Sequence, residues 1–169
     1  MFRKSVVWIL SAFLLLSLHA AFAQKEEKGH ELQEIDLRRE DEILNSIKEL
    51  DKAMVSSDTS TLNTLLSKEV HFKHSNGMVE SKTELLNNLN SGYLRYLQIE
   101  QQGKSEIGKW KGKKGGYWKD HTVTRDLHVV GELDGKPFDV VLTTKEHWVL
   151  VDDKNKWVLL ERQSVQADK

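Results

Sequence analysis

Residues 65–99, LLSKEVHFKHSNGMVESKTELLNNLNSGYLRYLQI, change their periodicity twice, and that change decides the fold class. Val70 and Phe72 alternate with charged or polar neighbours and run into Asn76-Gly77, a pair that favours a tight turn between strands. Ser81 stands three residues ahead of Glu84, the spacing of a capping box, so a helix is predicted from Lys82 to about Asn90, stopping before Gly92. From Leu94 the period returns to two.

On the N-terminal side, Ile43, Leu44, Ile47, Leu50 and Met54 recur at helical spacing between Glu40 and Ser56, with three acidic residues in the first turn. A shorter helix is expected from about Ser60 to Leu66. On the C-terminal side, strands are expected over Leu94–Ile107, Thr122–Gly131, Lys136–Val151 and Lys156–Ser164, with Asp134-Gly135 as one of the turns. Helices followed by a run of long antiparallel strands make an α+β domain in which a bent sheet wraps against the helices.

The first 23 residues read differently. Arg3 and Lys4 precede an apolar run from Val6 to Leu18, and Ala21-Phe22-Ala23 closes the segment before Gln24, the layout of a Sec-type signal peptide cleaved near Ala23. The run is too short to span a bilayer, so a periplasmic or secreted protein with no stable membrane insertion is expected. The organisation that follows is a signal peptide over 1–23, a flexible polar lead-in over 24–38, one domain over 39–165 and a tail over 166–169. Lys and Arg total 25 against 26 Asp and Glu, and losing Arg3 and Lys4 with the leader takes the balance to −3, which argues against nucleic acid as a partner. Cysteine is absent, which removes disulfides, thiolate nucleophiles and thiolate metal sites.

The pattern His74-x-x-Gly77, Ser81-Lys82, then Ser91-Gly92-x-x-x-Tyr96 resembles the corresponding stretch of small exported proteins of the nuclear transport factor 2-like superfamily, near its SnoaL-like and ketosteroid-isomerase-like groups. The closing segment KWVLLERQSV, residues 156–165, is similar to the last strand of that family. The resemblance spans about residues 40–165 and implies a cone: three helices on a strongly curved mixed or antiparallel sheet, a cavity between them, and frequently a homodimer through the outer sheet face. The apolarity of both faces in Val140–Val151 and Trp157–Leu160 points to the same dimer.

Carried over residue by residue, the resemblance makes His74 the first site candidate. Its imidazole has the chemistry to bond a carbonyl or anionic ligand or to shuttle a proton; equally, it could brace the turn at Ser75 to Gly77. Lys82 and Tyr96 are the next ligand-binding candidates, each with a plainer role as first-turn cation and core filler, and Trp148 is placed beside them as a cavity wall. An isomerase-type mechanism needs a carboxylate base facing an oxyanion-stabilising group. Asp126 and Glu161 are the strand carboxylates, and neither has such a partner at a readable spacing. Strict alternation puts Glu161 on the face of Trp157, Leu159 and Gln163, and Arg162 on the other, where it reads as a cross-strand ion-pair partner. His71, His74, His121, His128 and His147 follow no metal-ligand spacing, so no metal and no cofactor are expected.

One loop stands apart. GKWKGKKGGYWKDH, residues 108–121, interleaves Lys109, Lys111, Lys113 and Lys114 with Trp110 and Trp118, a composition that suits either a soluble hairpin tip or a binding surface. Phosphate loops, serine elbows and metalloprotease helices have no counterpart in the sequence. The expectation is an exported domain that binds a small molecule in a mainly apolar cavity. Two alternatives stand beside it: an acid-base isomerase, dehydratase or cyclase acting on a small hydrophobic carbonyl compound, and a non-catalytic module that uses the 108–121 hairpin.

Overall fold

Capping decides where the helices start and stop. In the computed structural model, which describes residues 37–109, 120–151 and 156–167, helix α1 occupies 37–55, α2 Thr59–Leu65 and α3 Lys82–Ser91. Asp58 opens α2 by accepting from the Thr61 amide at 3.0 Å. Ser81 and Glu84 close the expected capping box around the first turn of α3: the Ser81 amide donates to Glu84 Oε2 at 2.8 Å, and the Glu84 amide donates to Ser81 Oγ at 3.4 Å. Gly92 ends α3 in the left-handed region, with φ of 75°.

Chain packing divides the protein into two units, Met1–Asp41 and Glu42–Lys169. In the first, the described residues 37–41 are helical, and the signal-peptide reading of 1–23 lies outside the described residues. The second holds six strands: β1 Leu66–Lys73, β2 Val79–Ser81, β3 Leu94–Lys109, β4 Asp120–Leu133, β5 Lys136–Val151 and β6 Lys156–Gln166. Their order across the sheet is β2-β1-β6-β5-β4-β3. The last four form the expected antiparallel meander, whereas β1 runs parallel to β6, so the sheet is mixed. Among the described residues no helix is long and apolar enough to cross a membrane.

The strongly curved cone is not what this chain builds. The sheet is open, with β2 and β3 as unpaired edges, and it is not strongly curved. Strong bending requires bulges or glycine kinks repeated across neighbouring strands. Register shifts occur in the β1–β6, β3–β4 and β5–β6 ladders, but they do not repeat across the central β4–β5 ladder, which runs from Asp120↔Val149 to Leu133↔Lys136 through fourteen pairs without one. The expected three helices on a sheet are present; the curvature is not.

Odd residues of β4 and even residues of β5 share the inner face, and that face has two halves. Over one half, Val123, Trp148, Trp157 and Leu159 pack with Ile43, Ile47, Leu50 and Met54 of α1, Leu62 and Leu65 of α2, and Leu85 and Leu89 of α3. Over the other half, Leu127, Val129, Val140 and Leu142 face a cavity whose lining comes from β1, the turn after it and β3 to β6, and no helix contributes to it. The cavity therefore sits beside the helices on the sheet face, not between helices and sheet. Replacing Ser81 by alanine removes half of the capping box, and a loss of about 1 kcal/mol is expected in urea unfolding, with the m-value unchanged.

Candidate functional site

The boundary between the two halves is charged. Arg125 follows Val123 by two on β4 and so points inward; Glu146 lies opposite Val123 on β5, and Arg162 lies opposite Glu146 on β6. Arg125 donates both terminal nitrogens to Asp51 of α1, at 2.6 and 3.0 Å, and Nη2 also reaches Glu146 Oε1 at 2.8 Å. Arg162 donates Nε and Nη2 to the same Oε1 at 3.0 and 2.7 Å, and the Trp148 indole donates to Oε2 at 2.9 Å. Arg125 is 1% exposed, Glu146 0% and Arg162 6%. Burial pushes the Glu146 carboxyl up, but the charges of Arg162 and Arg125 and the bonds from Arg125 and Trp148 outweigh it and hold it at about 2. Burial likewise opposes the Arg125 charge, and Glu146 and Asp51 overcome it.

Arg162 also reaches the cavity, which has a volume of about 200 Å³. Its guanidinium lies 5.7 Å from the centre of the Phe72 ring, and Nη1 makes no hydrogen bond among the described residues. Tyr96, on β3, lines the same space with a hydroxyl that bonds no protein group. Burial pushes its pKa up to about 12, against the pull of Arg162 and with a smaller push from Glu80. Phe138 meets Tyr96 edge-on at 6.4 Å and forms one end wall. It can do so because residue 131 is glycine: a Cβ there would sit 2.3 Å from the Arg95 carbonyl oxygen and 2.5 Å from the Phe138 ring.

His74 closes the opposite rim. Its Nε2 lies 2.6 Å from Glu80 Oε2 on β2, and Glu80, only 3% exposed, also accepts from Asn88 of α3. Facing a carboxyl oxygen, Nε2 is the engaged ring nitrogen, and Nδ1 has no hydrogen-bond partner among the described residues. The arrangement is a base oriented by a carboxylate that is itself held by an amide.

Of the candidates read from sequence, His74 and Tyr96 are brought to one cavity. Trp148 lies in the core behind the arginines, and Lys82 donates to the carbonyl oxygens of Asn63 and Leu66, closing the end of α2. Lys109 ends β3, and Trp110, Lys111, Lys113, Lys114 and Trp118 lie outside the described residues. Glu161 and Arg162 both change face. Trp148 pairs with Leu159 and His147 with Glu161, so Leu160 is bulged, and alternation restarts with Glu161 outward and Arg162 inward beside Trp157 and Leu159. Glu80, Asn88, Arg125 and Glu146 were missed; charged residues in the inward phase of β4 and β5 were the available signal. Among the described residues no group of three or more His, Cys, Asp or Glu is set to hold a metal ion.

Neither a family model nor a curated protein matches the sequence. Solved structures do. An NTF2-like protein of unknown function in nutrient uptake from Rhodospirillum rubrum superposes with a TM-score of 0.66 at 21% identity, over 75% of this chain and 98% of that one. An NTF2-like protein from Cytophaga hutchinsonii gives 0.66 at 19% identity, over 76% and 98%. The chain has the nuclear transport factor 2-like fold. A candidate ketosteroid isomerase from Shewanella frigidimarina shares this fold at a TM-score of 0.52 and 18% identity, over 71% of this chain and 91% of that one. Nuclear transport factor 2-like domains with such different descriptions share a frame, so chemistry has to be argued from the residues in the cavity.

The depressed Glu146 pKa fixes a pH signature. A group whose folded pKa lies below its unfolded value contributes stability above about pH 4.5 and loses it as the pH falls towards 2. Glu146→Gln is expected to lose about 3–5 kcal/mol at pH 7, by leaving two arginines short of an anion, and to flatten the acid limb of stability against pH in urea titrations.

Proposed function

We propose that the domain binds a small, mainly apolar molecule in the cavity between the 74–78 turn and the open half of the sheet. The observation that carries this reading is the mismatch inside the cavity: walls of Leu, Val, Ile and Phe surround the unengaged Nη1 of a nearly buried arginine and the free hydroxyl of Tyr96. Apolar walls hold the body of a ligand, and a few fixed polar atoms orient its head. A volume near 200 Å³ suits a molecule somewhat larger than a single benzene ring, for which about 150 Å³ suffices.

The leader-like segment 1–23 supports export before binding, and mass spectrometry of the extracytoplasmic protein should find Gln24 as its first residue. Self-association as a homodimer belongs to the same proposal; the exposed Val141 and Val165 support it, and light scattering that finds a concentration-independent monomer would end it.

A second reading is acid-base catalysis on a small carbonyl compound, favoured by the 2.6 Å contact between His74 and Glu80 at the cavity rim. The two readings separate in His74→Ala. Under catalysis, turnover of a bound carbonyl compound falls by about 100-fold or more while its dissociation constant stays within a few-fold. Under binding alone, no turnover is found in the parent protein either.

Filling the cavity tests the main reading directly. Leu142→Trp places an indole in the open half and should abolish any small-molecule adduct seen by native mass spectrometry, with circular dichroism unchanged. A parent protein that retains no molecule, and whose melting temperature responds to none of a panel of single-ring compounds, would refute it.

A further inference from the structure

The charges at the cavity floor cancel. Arg125 and Arg162 face Asp51 and Glu146, and both arginines sit beside one Glu146 oxygen. Arg162 has already placed Nε and Nη2 on Glu146, so what it offers the cavity is the pair of N–H bonds on Nη1, not an uncompensated positive charge. The other basic groups on the lining are His74, already engaged by Glu80, and Lys73, whose side chain is exposed at the rim. Among the described residues no carboxylate lines the cavity.

We propose that the cavity selects a neutral molecule carrying one strong hydrogen-bond acceptor, such as an amide or ketone oxygen, and discriminates against the carboxylate of the same shape. This rests on the binding reading above. The acceptor receives hydrogen bonds from Arg162 Nη1 and the Tyr96 hydroxyl, and the apolar body lies against Leu127, Val129 and Leu142. A carboxylate could also meet Nη1, and an arginine-carboxylate bond is ordinarily the stronger one. Here Glu146, at 2.7 Å from Arg162, has taken most of that advantage, while the incoming anion still loses its hydration among apolar walls. Tyr96 already behaves as the proposal requires: its ionisation is driven up to about 12 by burial although Arg162 is near enough to oppose the shift. Negative charge is disfavoured on that side of the cavity, and a hydroxyl that keeps its proton remains a donor.

Benzamide, acetophenone and benzoate share a ring and a similar outline but differ in charge. Calorimetric titration of the full chain at pH 7 should give benzamide and acetophenone dissociation constants at least ~10-fold below that of benzoate. Tyr96→Phe should weaken the neutral pair by roughly 3- to 10-fold, the range of a single hydrogen bond, without altering the unfolding midpoint. Its hydroxyl bonds no protein group, so the variant folds even where Arg162→Lys does not. Benzoate binding as tightly as benzamide, or tighter, overturns the charge selection and leaves the cavity as a binding site. Unchanged affinity for both neutral probes in Tyr96→Phe overturns the assignment of the donor. Absence of binding by all three, with the melting temperature unmoved, overturns the binding reading itself and this inference with it.

Discussion

Glu146 is the residue on which the inner face of the sheet depends. A carboxylate taken wholly out of water is tolerated only when its lone pairs are occupied and opposite charge is at hand. Four N–H groups from two arginines converge on its Oε1, and an indole N–H takes Oε2. Those bonds hold Arg125 and Arg162 in one geometry each, and Arg125 extends the hold to Asp51, tying α1 to three consecutive strands. A cluster of this kind adds little net stability over an apolar replacement of equal volume. Its contribution is positional: it divides a face that α1, α2 and α3 cover from one they leave open.

The roof of the open half is held by a second set of contacts, and His74 belongs to both roof and cavity. Its backbone makes the turn, with the amide donating to Met78 O at 2.8 Å and the carbonyl accepting from the Gly77 amide at 2.9 Å. The ring is thereby free for Glu80. The turn is built from main-chain groups, not from the imidazole that was expected to brace it, and the ring lies against Glu80 at the cavity rim.

Much of the fold was legible because the signals were local. Capping at Ser81 and Glu84, the stop at Gly92 and the Asp134-Gly135 turn, whose residues have φ of 52° and 70°, depend on neighbours within a few positions. What failed were properties of pairing. Curvature and the position of the cavity beside the helices are set by register between distant strands. The bulge at Leu160 shows the mechanism in one residue: it inverts the alternation from which Glu161 and Arg162 had been assigned, and turns an expected outward arginine into the principal donor of the cavity. Glu80 was invisible for a related reason, since its partners His74 and Asn88 meet only once β2 and α3 have folded back over β1.

Local rules and global packing agree over most of this domain, and the places where they conflict coincide with the cavity. Arg162 is 6% exposed, and its Nη1, which makes no hydrogen bond among the described residues, is left to the cavity that the residue lines. Leu127, Val129, Val140 and Leu142 on β4 and β5 cannot accept, while Thr144 and Ser164, the next inward pair beyond Glu146 and Arg162, bring hydroxyls to the lining. Tyr96 repeats the pattern, with a partly buried ring and a hydroxyl that bonds no group among the described residues. Arg162 and Tyr96 thus bring two polar donors to a lining made largely of Leu, Val, Ile and Phe, and that contrast is the property of the cavity that packing alone does not account for.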